Sequence, residues 1–153
     1  MMFVVITLTI LIGAFLPRFS ESYQRLRVER VAFEVAQLLR YAQSIAVTRQ
    51  SVVHCAVQPA DQGRPSSLGI TVSNGDAGPQ KSVDIPDGIT VLLGDKGAAV
   101  AVDFFPDGTS QVADNATSHA ADIRVADESG NGYQIGVNET TGYVSIQAGH
   151  SAH

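Results

Sequence analysis

The sequence predicts an α+β protein in which a long N-terminal helix (a membrane span continued by an amphipathic half) packs on a C-terminal antiparallel β-sheet domain. Three observations carry that prediction. Residues 1–16 contain no charged side chain. Residues 20–50 place apolar residues at helical spacing. After Gln50 the apolar period falls to two, with turn-forming residues between short runs. At 153 residues there is room for one domain plus an appended segment. The expected division is 1–19, 20–50, a β-sheet domain over 51–148, and a disordered tail at 149–153.

The first segment, MMFVVITLTILIGAFLPRF, is apolar through Phe3, Val4, Val5, Ile6, Leu8, Ile10, Leu11, Ile12, Phe15 and Leu16. Sixteen helical residues extend only about 24 Å, short of the ~30 Å hydrocarbon core of a bilayer. A secretory signal needs a basic start and a small-residue cleavage pattern. No Lys or Arg precedes Arg18, and no such pattern precedes Pro17. The stretch reads as a span short of its first turn or two. Pro17 is expected to kink a continuing helix rather than end it.

Beyond Pro17, Val28, Val31, Val35, Leu38, Ala42 and Ile45 recur at spacings of three and four and form one stripe. Arg25, Glu29, Arg30, Glu34, Gln37 and Arg40 lie largely off it. No Gly or Pro interrupts residues 18–58, but SVVHCAV is rich in β-formers, which places the helix end near Gln50.

Seven strands are expected: 52–57, 68–73, 89–93, 100–105, 122–126, 133–138 and 142–147. NGDAGP, IPDG, FPDGTS, ESGNG and NETTG separate or flank them with turn chemistry. With one helix and none following, these strands form an antiparallel sheet whose apolar face the helix stripe covers.

Composition excludes several functions. Residues 17–50 carry six arginines against three glutamates, whereas residues 51–153 carry four basic and twelve acidic side chains. An acidic domain is a poor general binder of polyphosphate, so nucleic acid is an unfavoured partner. Arg18, Arg25, Arg27 and Arg30 lack interleaved aromatics and suit a membrane-proximal helix surface. The single Cys55 allows no internal disulfide and, in an apolar run, reads as a small core residue. His54 alternates with strand residues. His150 and His153 lie in the tail, where metal binding would be weak. Asp84, Asp87, Asp103 and Asp107 invite a calcium or paired-carboxylate reading, but Asp87 and Asp107 occupy P-D-G turns. No nucleophile elbow, P-loop, zinc motif or dinucleotide fingerprint is present, so neither an enzyme nor a cofactor is expected.

The order of the pieces resembles type IV pilin-like proteins, and three blocks narrow the resemblance. RVAFEVAQLLRYAQSIAVTRQSVVHCAV at 30–57 is similar to the helix-to-strand passage of the GspH/FimT minor pseudopilins through Leu39, Arg40, Ala42, Ser44, Ala46, Arg49, Val52 and Cys55. VDFFPDGTS at 102–110 resembles that family's turn, through Phe105, Pro106, Asp107 and Gly108. GYQIGVNETTGYVSI at 132–146 resembles its final hairpin, with Thr141 and Gly142 at the turn.

The resemblance implies a non-enzymatic subunit of the type II secretion pseudopilus, held in the bacterial inner membrane by a single span with its C-terminal domain in the periplasm. Phe3 to Pro17 would then supply the filament core, and other pseudopilins or pilins would be the partners. It also implies a leader cut by prepilin peptidase, methylation of the new N-terminus, and a glutamate five residues into the mature helix. No processing site stands before Met1; counting back from Pro17 puts that glutamate just upstream of it. The expectation is a start placed too late or a leader removed. Arginines following the span would favour a cytoplasmic C-terminal side, an objection that a basic leader weakens. The alternatives are a FimT-type minor pilin acting in pilus biogenesis or DNA uptake, an unrelated membrane-anchored binding module, and a secreted enzyme cleaved near residue 16.

Overall fold

In the computed structural model, described at residues 2–58, 65–73, 81–93, 101–112 and 120–149 with helix side chains from residue 23, one helix precedes nine strands. Helix α1 spans Met2–Arg49. Good helix formers and the absence of Gly from residues 18–49 favour it. It ends where Gln50 takes a left-handed φ of 51° and the Ser51 amide donates to the Ala46 carbonyl at 3.2 Å. That six-to-one bond is the Schellman closure, which satisfies a carbonyl the last turn would otherwise leave open.

The strands are β1 (Val53–Gln58), β2 (Ser67–Val72), β3 (Lys81–Asp84), β4 (Ile89–Leu93), β5 (Ala101–Phe104), β6 (Ser110–Val112), β7 (Ala120–Asp127), β8 (Gly132–Asn138) and β9 (Val144–Gly149). They form two antiparallel sheets rather than one, in the orders β3-β2-β1-β5-β6 and β4-β7-β8-β9. Alternation tells which side chains face inward, but not which strands share hydrogen bonds. The chain leaves the first sheet for β4, returns for β5 and β6, and leaves again for β7.

Two strands were not anticipated. β3 carries Lys81 and Asp84 within four residues, and β6 is three residues long. Both lie at edges of the five-stranded sheet, where pairing to one neighbour is enough to hold a weak β-former. Gly149, expected to open a disordered tail, instead ends β9 opposite Gly132. Gly132 must be glycine, since a Cβ there would lie 2.1 Å from the Val125 carbonyl oxygen. The NGDAGP segment, His119, His150 and His153 fall outside the described residues.

One core fills the space between helix and sheets. From α1 come Val28, Val31, Val35, Leu38, Leu39 and Ile45, with Ala32, Ala36, Ala42 and Ala46 fully buried between them. The sheets contribute Leu68, Ile70, Val102, Phe104, Ile123, Val125, Ile135 and Val137, each 0% exposed. The alanines let the helix backbone approach both sheets closely. Each large aliphatic side chain buried here contributes about 1.5–3 kcal/mol.

Gln50 is a non-glycine residue at a position glycine favours, and its side chain makes only the exposed bond to the Val47 carbonyl, 2.8 Å. Gln50→Gly should stabilise the fold by about 0.5–1 kcal/mol, read as a Tm increase of about 2–4 °C. An unchanged or lower Tm would remove this account of the helix end.

Candidate functional site

Two turns and one helix segment meet at the junction of the two sheets. The β5–β6 turn holds Phe105, Pro106, Asp107 and Gly108, and the β8–β9 turn holds Thr141 and Gly142. Each turn is internally closed. The Phe105 amide donates to the Thr109 carbonyl, and Gly108 donates back to Phe105. Asp107 Oδ1 accepts from the Thr109 amide at 3.0 Å and hydroxyl at 2.7 Å, which holds its carboxyl below the usual carboxylate range. In the second turn, Asn138 Oδ1 accepts from the amides of Thr140 and Thr141, and its carbonyl from Gly142 at 2.7 Å. These are the side-chain-to-backbone bonds for which Asp and Asn are favoured in turns.

The helix holds the second turn, and Ser110 links the first to it. Arg40 Nη2 donates to the Val144 carbonyl at 3.1 Å, and Gln43 Nε2 donates to the Thr141 carbonyl at 2.8 Å. The Ser110 amide donates to the Glu139 carbonyl at 2.8 Å, and its hydroxyl to the Asn138 carbonyl at 3.2 Å. Ser110 is buried and so bolts the edge strand β6 of one sheet to the hairpin turn of the other. Gly142 sits at the centre with φ of 62°; a Cβ there would lie 2.5 Å from the Gly108 carbonyl and 2.6 Å from Gln43 Nε2.

On the helix, Val28, Val31, Val35, Leu38, Ala42 and Ile45 all face the core. The side chains of Phe3 to Pro17 lie outside the described residues, among which no helix is long and apolar enough to cross a membrane. The face turned away from the sheets carries Leu26 at 62% exposure, Phe33 at 47% and Val47 at 43%. Tyr23 and Tyr41 flank it, with Lys81 Nζ 4.9 Å from the centre of the Tyr41 ring. Arg30 pairs with Glu34 at 2.9 Å on the same side. These off-stripe hydrophobes are visible in the sequence as Leu and Phe where a solvated helix face would be polar.

The polar groups of the sheets offer two further features. Cys55 is buried, and burial, helped by the Asp103 charge, pushes its thiol up to about 12. On the outer face, His54 Nδ1 lies 2.7 Å from Asp103 Oδ1 and Nε2 lies 2.8 Å from Ser73 Oγ. Asp84, Asp87, Asp103 and Asp107 do not converge. Among the described residues no three His, Cys, Asp or Glu side chains are placed to hold a metal ion.

Comparison with known proteins agrees with this architecture. The family model described as Type II transport protein GspH matches residues 32–141. That span contains Arg40, Gln43 and the β5–β6 turn, and it ends within the β8–β9 turn at Thr141. Two crystal forms of the type IV minor pilin FimU of Pseudomonas aeruginosa superpose on the chain. In one, TM-score is 0.59 and identity 18%, over 81% of this chain and 90% of FimU. In the other, TM-score is 0.57 and identity again 18%, over 78% and 91%. At that identity the likeness speaks for the fold. No curated protein sequence matches the chain.

Gly142→Ala should cost more than about 2 kcal/mol, because the left-handed backbone and the Gly108 carbonyl both oppose a Cβ. Denaturant unfolding that shows a loss below 0.5 kcal/mol would contradict the packed junction. The Cys55 thiol stays protonated in the fold far above the pH at which an unfolded thiol ionises. It should therefore resist a thiol reagent at about pH 8.5 and react at once when urea unfolds the chain. Equal rates in both states would contradict its burial.

Proposed function

The chain belongs to the GspH family of type II transport proteins, and from that premise we propose that it is a minor pseudopilin of the type II secretion pseudopilus. A pseudopilin or minor-pilin role in general follows from the family and from the pilin fold. The observation that carries assembly is the face of α1 directed away from its own sheets, where Leu26, Phe33 and Val47 are exposed. A helix already anchored by one apolar face gains nothing within its own domain from a second. Neighbouring subunits in a fibre are the surface that such a face fits.

In this reading residues 1–19, with Phe3 to Leu16 apolar and Pro17 at their end, supply the filament core and, before assembly, a single inner-membrane span. Residues 20–50 act as the stalk, and the β-domain over 51–148 decorates the periplasmic side. A prepilin peptidase would act on a leader upstream. The preference for secretion over DNA uptake is supported by charge: residues 51–153 hold twelve acidic against four basic side chains. One of those four, Arg124, is already engaged, donating to the Gly130 carbonyl at 3.0 Å. The fold of FimU favours a second reading, a minor pilin of a type IV pilus.

Leu26→Glu and Phe33→Glu should leave the Tm nearly unchanged, since both side chains are exposed. The same changes should lower in-cell cross-linking to the other pseudopilins, and secretion, by about tenfold or more. Undiminished cross-linking would count against the assembly face. Duplex DNA binding near 0.15 M salt, lost in Arg124→Ala, would move the assignment from secretion to the pilus.

A further inference from the structure

We propose that Ser73 is an activated nucleophile, the acyl-accepting member of a Ser73–His54–Asp103 chain on the outer face of the five-stranded sheet. The three groups follow the order that nucleophilic catalysis by serine requires: carboxylate, imidazole, hydroxyl. Asp103 Oδ1 is 2.7 Å from His54 Nδ1, and His54 Nε2 is 2.8 Å from Ser73 Oγ. Both separations are within hydrogen-bond reach for a base and its orienting group.

The register of the sheet sets this arrangement. β1 and β5 place His54 directly opposite Asp103. β1 and β2 place His54 opposite Thr71, so Ser73 is its diagonal neighbour two residues on. The alternate residues Val53, Cys55, Val72, Val102 and Phe104 are all buried, which holds the three strands from beneath. His54 and Ser73 are exposed, and Asp103 is half-buried between them and the neighbouring strand.

The chemistry follows from proton placement. Ionised Asp103 accepts the Nδ1 proton, which leaves the Nε2 lone pair facing the Ser73 hydroxyl. Ser73 Oγ attacks the carbonyl carbon of an ester while its proton passes to Nε2. The tetrahedral adduct expels the alcohol, which takes that proton, and leaves an acyl-serine. Water then adds, giving up its proton to Nε2; collapse releases the carboxylic acid and returns the proton to Ser73. The Ser73 amide already donates to the Val52 carbonyl at 3.0 Å, so it offers the oxyanion nothing. The face is also open to water. Both features restrict the substrate class to small esters with good leaving groups.

The test is to treat the full chain with p-nitrophenyl acetate, or with a fluorophosphonate, and to map modified serines by mass spectrometry. Positioned general-base assistance is worth about 10²–10⁴-fold. Ser73 should therefore react about a hundredfold faster than Ser145 of the same chain and than Ser73 in urea. His54→Gln should bring it to the rate of Ser145. Asp103→Asn should slow it and Asp103→Glu should restore it in part, a rescue that loss of a merely structural bond would not show. Ser73 reacting no faster than Ser145, or unaffected by His54→Gln in a variant that melts like the parent, would overturn the proposal. The wild-type comparison of two serines needs no variant to fold.

Discussion

Two sheets with one apolar face each must be covered by a single helix, and the burial of α1 against both is the interaction on which the rest depends. A stripe of one residue per turn would cover one sheet. Here Val28, Val31, Val35, Leu38 and Ile45 are joined by Ala32, Ala36, Leu39 and Ala46, which widens the buried arc. Alanine is well suited to the flanks of that arc, having high helix propensity and little bulk. The sheets could not be brought together by larger residues there without lifting the helix from one of them.

The hydrogen bonds at the sheet junction complement this burial rather than repeat it. Apolar contact is non-directional and would tolerate some sliding of the sheets. Arg40, Gln43 and Ser110 reach backbone carbonyls of the β8–β9 hairpin and set the register of helix, turn and edge strand. The sequence blocks with the most recognisable text lie here because several constraints act on the same few residues. The turns need Asp, Asn or Gly for their own backbone, and the helix needs donors of fixed reach.

Legibility in the sequence tracked the range of the interaction. The β4 segment, Ile89–Leu93, is plain because Ile89, Thr90 and Val91 are β-branched and a P-D-G turn precedes them. The helix end near Gln50 is visible in the change of period. β3 and β6 were illegible because their own residues do not favour a strand, and their neighbours in the sheet supply the preference. The turns could be read residue by residue. The bonds from Arg40 and Gln43 to the β8–β9 hairpin could not, since their partners lie 104 and 98 residues away respectively. His54, Asp103 and Ser73 likewise become neighbours only through strand register. Leu26 and Phe33 were readable as off-stripe hydrophobes, but periodicity alone directs notice to the stripe itself.

Among the described helix side chains, residues 23–27 are all exposed and the first buried one is Val28. From Val28 to Ala46 the helix grips the β-domain, which is thus carried on whatever helix precedes that grip. Each residue of a helix turns the axis by about 100° and advances it by about 1.5 Å. The number of residues before Val28 thus acts as a dial, setting which side of the domain faces outward and at what height. A change of one residue there would re-aim the entire domain while leaving every contact inside it untouched.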